Sequence, residues 1–309
     1  MMAEKNGSSE NCDFTNWISY TDRDVDEILK ILKTNDGLKF FSPCIAPKLT
    51  QVDAQKKAIL LALASHWDEW GDRWRIHVLM YGKDSSGTAK TPMLKFVESI
   101  GGGFTGIRST EAGLTVNLKD GSEGFLPIHH RNVVGLDEID KWSKKDRDGC
   151  LEAMESGEIA FISAGHKGVF PAEVIVLAGA NDPSVFTPEQ FGRFDFKFEM
   201  TKYDVNRAKT ISRQISRFMG RPKPEDHNLF LEYLAWIRRY NVEIPDNVRE
   251  KGSDIIEGYI ESSGNVDIRQ VEAIWRVSRS LARLNHRECL VEDVERSIKI
   301  LDETNKDGR

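Results

Sequence analysis

The sequence predicts an α/β fold, with a mostly parallel sheet followed by a small helical domain. Three short apolar runs indicate strands, and each ends in glycine or in polar side chains: 75–82 ("RIHVLMYG"), 132–140 ("NVVGLDEID") and 173–182 ("EVIVLAGAND"). Uninterrupted apolar runs of this length are typical of strands buried on both faces, as in parallel sheets. Helical patterns separate the runs, and from about Thr201 the pattern is helical to the end. Strands that alternate with helices favour the α/β class.

The helices that flank the first strand have their own signals. "TDRDVDEILKILK" (21–33) has a capping threonine, acids in its first turn and apolar positions at helical spacing. "VDAQKKAILLALASHW" (52–67) predicts a second, more apolar helix, and "PMLKFVESI" (92–100) a third with Pro92 in its first turn. Residues 1–18 have little apolar periodicity and are predicted to be a flexible leader. The expected division is therefore 1–18 leader, 19–200 α/β core and 201–309 helical domain.

Composition excludes several classes of protein. The 309 residues are 39% hydrophobic and 30% charged, which is typical of a folded, soluble protein. No apolar run approaches the roughly 18 residues of a membrane span, and the polar N-terminus lacks a secretory signal. We therefore expect an intracellular protein (cytoplasm or nucleoid) without a membrane partner. Because the net charge is −6, any nucleic acid would have to bind a local basic surface.

The stretch "YGKDSSGTAKTPM" (81–93), between the first strand and the third helix, has the residue types of a phosphate-binding loop. In such loops backbone N–H groups hold phosphates, a lysine neutralises the β and γ oxygens, and a Ser or Thr hydroxyl holds magnesium. Gly87, Lys90 and Thr91 fit these roles. The usual pattern places the lysine six positions after the first glycine, whereas Lys90 comes eight positions after Gly82. A Gly/Ser turn before an ordinary helix remains the alternative for this stretch.

The other two predicted strands also end in residues whose side chains can take part in catalysis. "VVGLDEID" delivers Asp137 and Glu138, which suit an aspartate that orders a magnesium shell and a glutamate that orients or deprotonates the attacking water. A surface acid pair is the alternative. The third strand ends in Asn181, whose amide could hold that water, although an asparagine there is more often a turn residue. The three strand ends together form a more specific signal than any one of them.

With these motifs in order, residues 20–303 resemble the AAA+ P-loop ATPases of the minichromosome maintenance (MCM) family. "GTAKT" is similar to the family's Walker A, "GLDEIDKW" to its Walker B and "LAGAN" to its sensor 1. "GRFDF" resembles the arginine-finger segment and "DIRQVEAIWR" the sensor-2 segment. "STEAGLTVNL" resembles the start of the helix-2 insert, and "AMESGEIAFISAG" the presensor hairpin.

The resemblance implies a DNA motor of the replicative helicase type that depends on ATP and Mg²⁺. It also implies a homo-oligomer, a hexameric ring that encloses single-stranded DNA. The nucleotide-binding residues that it implies are Gly87, Thr88, Ala89, Lys90, Thr91 and Asp137, with Thr91 and Asp137 holding the metal. The catalytic residues that it implies are Glu138, Asn181, Arg193 and Arg269. Both arginines would act on the ATP of a neighbouring subunit. The DNA contacts would come from His166 and Lys167 of the hairpin, with Lys119 and Arg131 as alternatives.

The sequence also departs from the family pattern. Two extra residues precede the second glycine of the loop, Thr91 replaces a serine, and Ser163 stands where the family has a lysine near the hairpin tip. Glu173 stands where the family has an arginine. Two rival functions remain: a chelatase-like remodelling ATPase of the same clade, and a partner that binds nucleotide for assembly without hydrolysing it.

Overall fold

The chain folds around a five-stranded parallel sheet. A computed structural model describes residues 13–83, 88–106, 111–117, 122–163, 166–201, 205–218, 226–264 and 267–306. The strands are β1 Val78–Tyr81, β2 Gly103–Thr105, β3 Val116–Asn117, β4 Ser122–Glu123, β5 Asn132–Leu136, β6 Glu158–Ser163, β7 His166–Pro171, β8 Val174–Ala180 and β9 Phe196–Glu199. The central sheet has the order β2-β5-β8-β1-β9, and every adjacent pair is parallel. The predicted α/β class is confirmed.

Helices cover this sheet and continue after it. They are α1 Asp22–Thr34, α2 Gly37–Phe41, α3 Asp53–Leu63, α4 Lys90–Lys95, α5 Glu111–Leu114, α6 Phe125–Ile128, α7 Lys144–Ser156, α8 Pro188–Phe191, α9 Val205–Phe218, α10 Asp226–Arg238, α11 Asp246–Ser263, α12 Ile268–Leu284 and α13 Val291–Lys306. None of the helices within the described ranges is long and apolar enough to cross a membrane. The last five helices agree with the helical pattern predicted after Thr201, while the domain division itself stays a prediction.

The three predicted strands are β1, β5 and β8, and they lie side by side in the sheet. Their side chains alternate between two cores. Val78 and Met80 of β1 belong to a large cluster with α3, α10 and α12, whereas Leu79 and Tyr81 belong to a second cluster that includes α7. Burial on both faces explains the uninterrupted apolar runs. Because parallel strands end at the same edge, the residues that follow β1, β5 and β8 meet there.

The first predicted helix forms, the second ends at Leu63 instead of Trp67, and the third is shorter than expected. Thr21 caps α1 through a capping box, since its side chain accepts from the Asp24 N–H and the Asp24 carboxylate accepts from the Thr21 N–H. The helix predicted at 92–100 begins earlier, at Lys90, and becomes a 3₁₀ helix from Phe96 to Ile100. Pro92 lies in the first turn, where no intrahelical donor is needed.

The predicted flexible leader extends too far along the chain. Phe14 and Ile18 are buried, and the Asp13 carboxylate accepts hydrogen bonds from Arg238 Nε at 3.0 Å and Trp67 Nε1 at 2.9 Å. The Arg238 guanidinium lies over the Trp67 ring, 4.6 Å from its centroid. Residues 13–18 are therefore part of the folded body, held by contacts with distant segments that local periodicity does not report.

Candidate functional site

The phosphate-loop lysine joins the end of β8 to the end of β1. Lys90 Nζ donates hydrogen bonds to the carbonyl oxygens of Gly82 at 2.9 Å and Ala180 at 3.0 Å, and to Asn181 Oδ1 at 2.8 Å. The lysine side chain is buried, so its ammonium needs these acceptors in place of water. The first and third predicted strand ends therefore meet through a single charged group.

The second strand end meets the loop through the residue after that lysine. Thr91 Oγ1 donates to Asp137 Oδ2 at 2.6 Å, while Asp137 Oδ1 accepts from the Glu138 N–H at 2.9 Å. Both carboxylate oxygens are thus held. A hydroxyl and a carboxylate side by side fit Mg²⁺, which takes oxygen ligands and is usually bound through one or two protein side chains. We call Lys90, Thr91, Asp137, Glu138 and Asn181 the strand-end cluster.

The backbone on both sides of the stretched loop is constrained. Ala89 has φ 62°, a left-handed conformation that turns the chain into α4, and Thr88 beside it is buried. Gly82 has φ 154°, and a Cβ there would lie 2.4 Å from the Met200 carbonyl oxygen. Gly82 is therefore required by the close approach of the chain after β9. Gly87 and the additional loop residues lie outside the described residues.

Glu138 is presented by a left-handed turn directly after β5, with φ 53°. Lys141 Nζ donates to Glu138 Oε1 at 2.5 Å, and this hydrogen bond raises the pKa of Lys141. The second oxygen, Oε2, is buried and has no hydrogen-bond partner among the described residues. One oxygen is thus held by a cation, and the other faces the interior as an acceptor suited to a water molecule.

Two residues that the motifs did not single out support the cluster. Asp140 Oδ1 accepts from the Asn181 N–H at 2.9 Å, which ties the end of β8 to the turn after β5. Gly179 lies against the Asp137 carboxylate, because a Cβ there would be 2.7 Å from Asp137 Oδ1 and 2.8 Å from Leu94 Cδ1. The sequence signal for Gly179 was its place in "LAGAN", two residues before Asn181.

The two predicted catalytic arginines form a separate group. Arg193 Nε lies 3.7 Å from Glu155 Oε2 on α7, and Arg269 Nη1 donates to the Glu189 carbonyl at 3.0 Å. A Cβ on Gly192 would lie 3.0 Å from Arg269 Nη1, so the two arginine segments are neighbours. Among the described contacts, neither arginine bonds to the strand-end cluster. The structure brings the two arginine segments together, and Arg269 also lines a cavity of about 330 Å³ with Gly192 and with Tyr81, the residue before Gly82.

Both arginines border open space. Arg193 lines a cavity of about 480 Å³ together with residues of α7 and α8. Arg269 lines another of about 600 Å³ with Glu155, Trp74 and Arg249. The arginine group is therefore accessible from outside the chain.

The candidate DNA contacts differ in what the structure describes. β6 and β7 form the predicted hairpin, with Ser163 paired to His166 at its end, and Lys167 is exposed. The side chain of His166 is not among those described, and Lys119 lies outside the described residues. Arg131 Nε donates to Glu173 Oε2 at 3.2 Å, so its guanidinium already has a carboxylate partner. Of the four candidates, Lys167 is the one described with an exposed side chain.

Comparison with known proteins agrees with these motifs. A family model described as the MCM P-loop domain matches residues 24–218. The DNA replication licensing factor MCM5 of Arabidopsis thaliana is 29% identical to this chain, over 94% of the chain and 47% of that protein. An uncharacterised MCM-type protein of Methanocaldococcus jannaschii is 25% identical, over 94% of the chain and 49% of that protein. The licensing factor MCM3 of Entamoeba histolytica is 33% identical over 52% of the chain and 29% of its own length. The chain spans about half the length of the first two relatives.

Proposed function

This chain belongs to the MCM P-loop family, and from that membership we propose that it is an ATP-hydrolysing motor that acts on DNA as a hexameric ring of identical subunits. The observation that carries this proposal is the strand-end cluster, in which Lys90, Thr91, Asp137 and Asn181 are joined by direct hydrogen bonds. A chance group of small and polar loop residues would not bring three separate strand ends into contact.

Each member of the cluster has a role that its contacts support. Lys90 offsets the charge of the β and γ phosphates. Its three N–H donors bind Gly82 O, Ala180 O and Asn181 Oδ1 in this structure, so it exchanges protein acceptors for phosphate oxygens when nucleotide binds. Thr91 and Asp137 hold Mg²⁺, which when bound neutralises charge that develops on the phosphates. Glu138 takes the attacking water on its unpartnered oxygen, and Asn181 fixes the position of that water. Lys141 keeps the Glu138 carboxylate aligned through its other oxygen.

The arginine group acts on the nucleotide of the neighbouring subunit. Support comes from the open cavities that Arg193 and Arg269 border, and from the described contacts, in which neither arginine bonds to its own strand-end cluster. An arginine finger stabilises charge on the transferred γ-phosphoryl group and is worth about 10³ to 10⁵ in rate where it has been measured. A complete site would therefore need two chains.

DNA passes through the ring and is contacted by the β6–β7 hairpin. The whole chain has a net charge of −6, so attraction must be local, and exposed Lys167 near the hairpin tip supplies it. The short β3–β4 hairpin, where Val116 pairs with Glu123, is the second element that we assign to the channel. Lys119 stands between these two strands in the sequence and lies outside the described residues.

Turnover measured against protein concentration, with and without single-stranded DNA, tests the proposal. Turnover per chain should rise as rings form in a parallel sizing experiment, and DNA should stimulate it. Turnover per chain that is unchanged on dilution to monomers would contradict catalysis between subunits. ATP turnover that DNA does not stimulate would favour the remodelling ATPase. ATP binding without turnover would favour the assembly partner.

A further inference from the structure

A buried carboxylate lies two residues after Arg193. Asp195 Oδ1 accepts from Arg276 Nε at 3.0 Å and from Arg276 Nη2 at 2.8 Å. Its other oxygen accepts from the His77 N–H at 2.8 Å, beside β1. The side chains of Asp195 and Arg276 are 1% and 2% exposed, so this ion pair is enclosed between the sheet and α12.

The same network reaches the backbone of both predicted catalytic arginines. Arg276 is two turns along α12 from Arg269, and its Nη2 donates to the Arg269 carbonyl at 3.4 Å. Arg73, which also lies 3.4 Å from Asp195 Oδ1, donates from Nη1 to the Arg193 carbonyl at 3.1 Å. Two guanidiniums that share one carboxylate thus hold the two segments.

The charges of this network favour its intact state. Burial alone would raise the pKa of Asp195, but the Arg276 and Arg73 guanidiniums outweigh it and hold that pKa well below its usual range. Removal of Arg276 would leave Asp195 with Arg73 alone, and removal of Asp195 would leave two buried guanidiniums without their shared carboxylate, which is strongly unfavourable. A bidentate guanidinium–carboxylate pair also fixes orientation, because two parallel hydrogen bonds define both distance and angle.

We propose that Asp195 and Arg276 are positioning residues that hold Arg193 and Arg269 in one fixed arrangement, so that both reach the nucleotide of a neighbouring copy together. Neither residue touches that nucleotide. The inference rests on the proposed function, since it assigns a role only if the arginines act between subunits. A displacement of about 1 Å in a catalytic group can cost 10²-fold in rate, which is the reason for such a device.

The variant Arg276→Lys tests this role because it keeps the buried charge and loses the bidentate geometry. Arg283→Lys is a matched control: Arg283 is also buried on α12, two turns further along, but it donates to the Ser65 carbonyl and contacts His66. We expect both variants to lower the melting temperature. Only Arg276→Lys should lose turnover at saturating ATP, by about tenfold or more, with ATP binding unchanged.

Mixed assemblies separate positioning from general damage. Arg276→Lys chains retain an intact loop and lack a well-placed arginine group. Mixed with Lys90→Ala chains, they should regain part of the turnover, because some interfaces then pair an intact loop with intact arginines. Mixed with Arg193→Ala chains, they should regain none. A chain that is merely destabilised would not distinguish between these two partners.

A reference mixture of Lys90→Ala with Arg193→Ala separates the two levels of the hypothesis. If the reference recovers turnover, three results would overturn the positioning role and leave the proposed function standing. They are full activity of Arg276→Lys alone, equal recovery with both partner variants, and recovery with neither. If the reference itself recovers nothing, catalysis between subunits is wrong and the positioning role falls with it.

Discussion

Replacement of Gly179 by alanine should weaken magnesium-dependent ATP turnover while the chain still folds. The added Cβ would lie 2.7 Å from Asp137 Oδ1, so that oxygen must move by about 0.7 Å to regain the 3.4 Å of an ordinary contact. Leu94 Cδ1 would lie 2.8 Å from the same Cβ, so this side chain would also have to shift. The rotated carboxylate would then lose its 2.6 Å hydrogen bond from Thr91 Oγ1.

The magnitude follows from these distances. A loss of about 10² in rate per ångström of misplacement gives an expected loss of about 10- to 100-fold, and overpacking lowers the free energy of unfolding by about 1–3 kcal/mol. The assay is a Mg²⁺ titration of turnover at saturating ATP, with urea denaturation in parallel. Gly179→Ala should need more Mg²⁺ for half-maximal turnover, because the oxygens that we propose as metal ligands are displaced.

Gly102→Ala is the matched control for this substitution. Its Cβ would lie 2.6 Å from the Val133 carbonyl oxygen, a clash of similar size at the opposite end of β5, about 13 Å along the strand from Asp137. It should lose at least as much stability, because it meets backbone oxygens whereas Gly179 meets side-chain ends, and it should keep its Mg²⁺ dependence. If Gly179→Ala turned over ATP normally with an unchanged Mg²⁺ titration, or if Gly102→Ala shifted the titration equally, the assignment of Asp137 to the metal would be refuted.

Three other substitutions test the rest of the site. Lys90→Ala should abolish turnover, because its ammonium is the charge that the strand ends orient. Lys83 is exposed, and Lys83→Ala should keep turnover. The reverse result would show that Lys90 is not the phosphate-binding lysine of the loop. Glu138→Gln should retain ATP binding in a nucleotide-binding assay and slow hydrolysis strongly, since an amide does not accept the water's proton; loss of binding would contradict this role. Lys167→Ala should lower the salt dependence of single-stranded DNA binding by about 0.7 per engaged contact in the log–log slope, with basal turnover unchanged. Lys251→Ala, on α11, is its control, and equal slopes for the two variants would move the DNA contact elsewhere.

The sequence predicted the strands whose burial is complete and missed those that are short or at an edge. β1, β5 and β8 lie at the centre of the sheet, so both of their faces are apolar and the runs are easy to recognise. β2 has three residues, too few for a periodic signal. β9 is an edge strand in which Lys197 and Glu199 alternate with buried Phe196 and Phe198, and its sequence was recognised by its arginine motif rather than as a strand.

The site residues could be predicted from the sequence because they lie in motifs. The residues that hold them in place could not be predicted. Lys90, Asp137 and Asn181 were predicted as site residues from their motifs, and they meet because the ends of parallel strands lie at one edge of the sheet. Asp195 pairs with Arg276 across 81 positions of the chain, and no local pattern reports a contact of that separation. Asp13 is a similar case: its partner Arg238 is 225 positions away, which is why the folded residues 13–18 were assigned to a flexible leader.

The longer loop is compatible with a working site because the position of Lys90 does not depend on the length of the loop. Lys90 Nζ binds the Gly82 carbonyl at one end of the loop and the Ala180 carbonyl beyond it, so the lysine is placed from both sides whatever lies between. Loop-closure entropy rises slowly with length, and an increase from six to eight positions costs only about 0.3 kcal/mol. That amount changes an equilibrium by less than twofold, far less than the loss of a buried charge contact. The extra residues therefore carry little entropic cost, and Lys90 keeps its place at the strand ends despite the longer loop.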